Sequence, residues 1–148
     1  MLITRSGEYG LRGLLFLARR PSKGFVLVSE ISRYQRIPET FLAKIFQRLS
    51  KAGLLRSSRG SKGGFSLGKP SGSITMREVI EAIDGPIALN RCLRREGECV
   101  EEELCPIYQV WSKAQEQLLK ILESTTVEDL ARRMVRNEKK RREEVRYK

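Results

Sequence analysis

Apolar residues recur at helical spacing through most of the chain, interrupted in two places. Over residues 8–19, Leu11, Leu14, Leu15 and Ala18 form one stripe, with Ser6 as a plausible N-cap and Glu8 in the first turn, where a carboxylate complements the helix dipole. Residues 21–24 read as a turn, and Phe25 to Val28 is a short apolar run that suits a strand. Ser29 then caps a short helix with Ile31 facing inward. Another helix opens at Pro38, the favoured first helical residue, and buries Phe41, Leu42, Ile45, Phe46, Leu49 and Ala52. Gly53 stands where a helix C-terminus wants a left-handed residue. The opposite face of this helix carries Thr40, Lys44, Gln47 and Lys51. Two short strands, residues 54–59 and 65–67, flank the basic glycine-rich turn Gly60-Ser61-Lys62-Gly63-Gly64.

A helix pair followed by such a ribbon predicts a winged helix-turn-helix, mostly α with a small β-wing. A polar, basic helix face held from behind is what a DNA major groove accepts. Further on, Thr75 and Glu78 make a capping box for a helix that buries Met76, Val79, Ile80 and Ile83 and stops at Asp84-Gly85-Pro86. Residues 87–105 show weak periodicity. From Pro106, Ile107, Trp111, Ala114, Leu118 and Ile121 recur in a heptad-like seam that Val110 and Leu122 widen. A helix over 106–123 is about 27 Å long, and its seam can fold back on the domain or pair with a copy of itself. Thr125 and Glu128 read as a second capping box, leading into Val127, Leu130, Met134 and Val135 and then a charge run. The expected organisation is a winged-helix DNA-binding domain over 1–86, a cysteine loop over 87–105, a dimerisation helix and the following helix over 106–131, and a basic tail over 132–148.

Charge sharpens this picture. The formal net charge is +11, and residues 1–70 hold 14 Lys and Arg against 3 Asp and Glu. Residues 71–148 hold 15 of each, so the excess lies in the DNA-binding part, which suits phosphates. A membrane surface would attract the same charge. However, the sequence has no long apolar run and no lipidation motif, so a soluble cytoplasmic protein is expected. Within 132–148, 9 Lys and Arg stand against 3 acidic residues. That run reads as a solvated tail, with extra phosphate contacts as the sharper alternative. An enzyme is disfavoured: there is no histidine, no phosphate-binding glycine motif and no nucleophile–base pair in sequence. A structural nucleoid protein would share the charge but would not need the cysteine loop.

All 3 cysteines, Cys92, Cys99 and Cys105, fall in that loop. An odd count is poor for a secreted disulfide framework. Thiolates are soft ligands that select zinc, Cu(I) or iron–sulfur clusters. The spacing is wider than in zinc ribbons, and a wide loop can wrap a larger object such as a cluster. Incidental thiols, or one disulfide and a spare, remain the alternative.

The chain resembles the bacterial winged-helix transcription regulators of the IscR and NsrR type, many of which hold an iron–sulfur cluster. The matching pieces are Gly7-Glu8-Tyr9, the run Leu49-Ser50-Lys51-Ala52-Gly53-Leu54, the wing from Arg59 to Leu67, the helix end Ile83-Asp84, and the cysteine loop followed by a helix with Trp111. Each piece is weak alone; together they are specific and span nearly the whole chain. The resemblance implies a homodimer that crosses its long helices and presents two winged helices to a palindromic promoter site. Carried over, Thr40 and Lys44 face bases and Arg48 approaches phosphate. Arg59 of the wing reaches the minor groove, and Ser61 and Lys62 beside it are further DNA-binding residues. Cys92, Cys99 and Cys105 match the residues that bind a 2Fe-2S or 4Fe-4S cluster. The fourth ligand departs from the IscR pattern: the position three residues past the last cysteine is Tyr108 instead of a histidine. In nitric-oxide-sensing relatives an acidic residue from the partner's first helix completes the set, and Glu8 occupies that position. The function implied is a DNA-binding repressor sensing redox, nitric oxide or iron–sulfur status. The alternative is a cluster-free winged-helix regulator controlled by thiol oxidation or by a partner protein.

Overall fold

In a computed structural model of the chain, residues 3–20, 24–94, 97 and 104–146 are described. The helices are α1 (Arg5–Arg19), α2 (Val28–Gln35), α3 (Glu39–Lys51), α4 (Met76–Asp84), α5 (Pro106–Ser124) and α6 (Val127–Arg146). Strands β1 (Leu55–Ser58) and β2 (Gly64–Leu67) pair antiparallel, with Leu55 opposite Leu67 and Ser58 opposite Gly64. This is the mostly helical architecture with a small wing that the sequence pattern predicts.

One core holds the N-terminal part together. Leu14, Ile31, Leu42, Phe46, Leu49, Ile74 and Val79 are buried in it, and Val127 from α6 joins them. The face of α1 turned to this core differs from the expected one. Leu11, Leu15 and Ala18 are only half-buried, whereas Gly7, Gly10, Gly13, Leu14 and Leu17 are buried. The glycines let α1 approach its neighbours: a Cβ on Gly10 would collide with Ile83, and one on Gly13 would sit 2.5 Å from the Phe46 ring. The helix also starts earlier than expected. Thr4, not Ser6, is the N-cap, accepting from the Gly7 N–H at 3.1 Å and donating its hydroxyl to Asp84 at 2.6 Å. The end of α4 therefore pins the start of α1.

Similar differences of one or two residues occur at the helix pair. Val28 already belongs to α2, so Ser29 is not its cap, and Leu27 holds the N-cap position. The run Phe25 to Val28 forms a single bridge in place of a strand: Val26 and Phe65 exchange both backbone hydrogen bonds, at 2.9 and 2.8 Å. Pro38 is the N-cap of α3, not its first helical residue. The turn between α2 and α3 passes through Arg36 at φ 53°, a left-handed residue that no glycine signalled. Gly53 does adopt the left-handed conformation after α3, at φ 77°.

Beyond the wing, the Thr75–Glu78 capping box forms as predicted. A second, smaller core of Ile80, Ile87 and Leu122, with Leu118 and Leu119 half-buried beside it, seats α5 on α4. Arg77 of α4 ties the two helices through Glu123 of α5 at 3.1 Å and is held along its own helix by Glu81 at 3.2 Å. The expected Thr125–Glu128 box is displaced by one residue. Thr126 and Asp129 make the reciprocal pair, with Thr126 N–H donating to Asp129 at 3.0 Å and Asp129 N–H to Thr126 Oγ1 at 3.1 Å. The charge run does not end the helix: α6 continues to Arg146 and is clamped to α1 by the Arg19–Glu138 ion pair at 2.7 Å.

Candidate nucleic-acid interface and metal centre

The α3 helix has the two faces that groove reading requires. Leu42, Ile45, Phe46 and Leu49 anchor it from behind, while Thr40, Lys44, Gln47 and Lys51 are exposed. Two residues of the expected apolar stripe are outside it: Ala52 is exposed, and Phe41 is 56% exposed. Helical spacing places Phe41 beside Lys44, on the edge of the outward face. The sequence pattern counted it as core because it adjoins Leu42. Arg48 is exposed, yet its guanidinium donates to the carbonyl of Ile83 at 3.0 Å, fastening α3 to the end of α4.

The wing is built onto this helix. The Phe65 ring meets Phe46 edge-on, with centroids 5.1 Å apart and planes at 77°. Behind it, Gly64 at φ 123° packs against the Val26 carbonyl, a spot that a side chain could not occupy. The tip closes with Gly63 N–H donating to the Gly60 carbonyl at 3.0 Å, and Arg59, Ser61 and Lys62 project from it, exposed. Helix face and wing tip are thus held in one rigid unit, each presenting cations to solvent.

The cysteine loop leaves α4 and returns to α5. Its first leg ends in a 3-10 turn, Arg91–Leu93, which carries Cys92 and packs on α5. Asn90 caps that turn by accepting from the Arg91 N–H at 2.7 Å, and Leu89 N–H donates to Gln115 of α5 at 3.0 Å. The returning leg places Cys105 at the N-cap of α5 with Pro106 following it. Cys92 and Cys105 are free and half-buried. Cys99 lies outside the described residues. Among the described residues no three acidic, cysteine or histidine side chains gather as a metal site. Glu8 is 62% exposed in the first turn of α1, with Arg12 at 3.7 Å. Arg12 in turn donates to the carbonyl of Gln35, the last residue of α2. Position 8 is therefore linked to the helix pair through one arginine.

Over residues 3–133 the chain matches the Rrf2 family, described as an iron-dependent transcriptional regulator. The chain belongs to the Rrf2 family. Among its relatives, the HTH-type transcriptional regulator IscR of Xenorhabdus nematophila is 34% identical over 132 residues, covering 89% of this chain and 80% of that protein. IscR of Klebsiella pneumoniae is 35% identical over 130 residues, 88% of this chain and 79% of that one. Among solved structures, CymR, the global cysteine regulator of B. subtilis, superposes with a TM-score of 0.68 at 31% identity, covering 88% of this chain and 96% of CymR. T. potens IscR shares the fold, with a TM-score of 0.72 at 24% identity over 90% of this chain and 88% of that one. This Rrf2-family chain is a winged-helix, DNA-binding transcriptional regulator and not an enzyme. No helix among its described residues is long and apolar enough to cross a membrane.

Proposed function

We propose that this Rrf2-family regulator is a cytoplasmic homodimeric repressor whose grip on a palindromic promoter site is set by an iron–sulfur cluster (2Fe-2S or 4Fe-4S) held on the cysteine loop. Thr40 and Lys44 read base edges, Arg48 and Lys62 meet phosphates, and Arg59 with Ser61 enters the minor groove. Phe41 adds an apolar contact of the kind that thymine methyl groups offer. The observation carrying the sensor reading is the placement of the thiols. Cys92 and Cys105 stand free on the two legs of one loop, both legs packed on or opening α5, with Cys99 between them in sequence.

The donor set fits the group: three soft thiols from Cys92, Cys99 and Cys105, and a carboxylate from Glu8 of the partner subunit. A cluster bound there supplies a centre that reacts with oxygen, nitric oxide or other oxidants. In such a set Glu8 would be the hard donor among soft thiolates and the most weakly held. In the protomer Glu8 stands 3.7 Å from Arg12. Because Arg12 also holds the Gln35 carbonyl, a change in the partner of Glu8 would reach the point where α2 turns into α3, so that both sites would bias one conformational equilibrium. Anaerobic purification with an absorption spectrum and iron and sulfide assays tests this, with Cys99→Ser beside the wild type. Visible charge-transfer bands with matched iron and sulfide, lost in Cys99→Ser, are expected. Colourless, metal-free protein that still binds its site tightly would overturn the cluster and leave direct thiol oxidation as the control.

A further inference from the structure

The family match ends at residue 133, yet α6 runs on as regular helix to Arg146. At about 100° per residue, Arg132, Arg136, Lys139, Lys140, Arg142 and Arg146 fall on one side of it, with Glu143 the one acid among them. Leu130, Met134 and Glu138 fall on the other, where Ala131 is buried and Glu138 clamps Arg19. Arg136, Lys139, Lys140, Arg142 and Arg146 are all exposed and have no ion pair among the described residues. The charge run is therefore a helical, predominantly cationic ridge exposed to solvent. Near its base, Met134 lines the same groove, of about 600 Å³, as Glu30 and Tyr34 of α2.

We infer that this face of α6 is a second DNA-contacting surface, binding backbone phosphates outside the site that α3 and the wing read. The inference rests on the DNA-binding reading above and deepens it. A sequence-independent polyanion is the occupant that a row of unpaired cations fits, and phosphate is spaced densely enough to meet successive turns of the helix. A lipid surface fits less well. Beyond residue 135 the only apolar residue before the end of α6 is Val145, so the ridge has nothing to insert below headgroups.

The test uses the anaerobically purified full chain. A duplex is selected by that protein from a random-sequence pool, then prepared in two lengths: trimmed to the selected site, and extended by about 12 base pairs on each side, roughly one helical turn. The variant replaces Arg136, Lys139, Lys140, Arg142 and Arg146 together by Gln, a good helix former, and circular dichroism checks that α6 persists. The wild type is expected to bind the extended duplex more tightly than the trimmed one, and the variant to bind both alike. The slope of log affinity against log salt is expected to shrink by about 2 or more in the variant, roughly 0.9 for each lost phosphate contact. An unchanged slope together with an unchanged gain from the flanks would overturn the inference. Lys44→Ala separates the two readings. If it weakens binding while the ridge variant does not, only the ridge falls; if the wild type selects no duplex at all, both fall. Phosphatidylglycerol vesicles form the last arm: vesicle binding lost in the variant, with DNA binding untouched, would overturn the inference in favour of a membrane surface.

Discussion

Gly13 lets α1 lie against the Phe46 ring, and a single methyl there tests how tightly the core is fitted. Phe46 is fully buried and its ring cannot retreat as an aliphatic chain end could. Gly13→Ala should therefore destabilise the chain by about 1–3 kcal/mol in urea unfolding, even though alanine is the better helix former by about 1 kcal/mol. A gain in stability would mean that α1 has room to shift. A second residue, Glu78, ties stability to pH. Burial raises its pKa, but the hydrogen bond from Lys69 and the Thr75 backbone N–H outweigh burial and leave it below the usual carboxylate range. A depressed carboxylate stabilises above its unfolded pKa and loses that contribution as pH falls through the folded value. Glu78→Gln should lower the melting temperature near neutral pH and narrow the wild type's lead at about pH 3, below the usual glutamate range of ~4.3. An undiminished gap at acid pH would show that packing, not charge, is at stake. Residue-level signals were legible where one candidate stood alone, as at Thr75 and Glu78. They slipped where two stood side by side. Thr125–Glu128 and Thr126–Asp129 carry the same pattern, and the choice was made by tertiary pairing: Met76 N–H bonds Thr125 and Val127 N–H bonds Ile74, which fixes the register from outside the helix.

Helix α3 shows how far periodicity reaches and where it stops. The stripe Leu42, Ile45, Phe46 and Leu49 named the buried face correctly, and the polar face opposite it followed. Phe41 and Ala52 were misplaced because periodicity assigns faces only to within the width of a stripe. Gly7, Gly10 and Gly13 went unseen because small residues give no hydrophobic signal. The hydrogen bond from Arg48 to Ile83 was equally invisible, since it joins residues 35 apart in sequence. It separates the effects of two cations on α3 that would otherwise look alike. Lys44→Ala should weaken DNA binding by about 1–3 kcal/mol and leave the melting temperature where it was. Arg48→Ala should lower stability as well, by about 1 kcal/mol, because the Ile83 carbonyl loses its donor. Fluorescence anisotropy with a labelled duplex and thermal unfolding on the same samples tell them apart. Equal stability for the two variants would reduce Arg48 to a surface cation.

Among the described residues, α5 carries an apolar face that the rest of the fold does not cover. Leu118, Leu119 and Leu122 of α5 pack toward α4, while Ile107, Val110, Trp111, Ala114 and Ile121, along the adjoining edge of the same stripe, are exposed, Ile107 at 65% and Ile121 at 62%. The seam read from sequence therefore splits into an intramolecular margin and an outward ridge. An outward ridge with heptad-like spacing is most economically closed by a second copy of itself, antiparallel or crossed, as two-fold DNA recognition requires. Trp111 is the chain's single tryptophan and sits on that ridge, so its emission reports association without a label. Dilution should shift the emission to the red as the dimer parts, in step with a fall in sedimentation coefficient. Ile107→Asp with Ile121→Asp should give a monomer with red-shifted emission at every concentration. Because both side chains are exposed in the protomer, the helical content and the core around Phe46 should survive. Affinity for a duplex bearing two half-sites should drop by about 10²–10⁴-fold, the advantage that linked binding confers, while affinity for a single half-site stays close to that of the wild-type protomer. A double variant that remains dimeric, or a monomer that holds the two-half-site duplex as well as the wild type, would show that α5 is not where two copies meet.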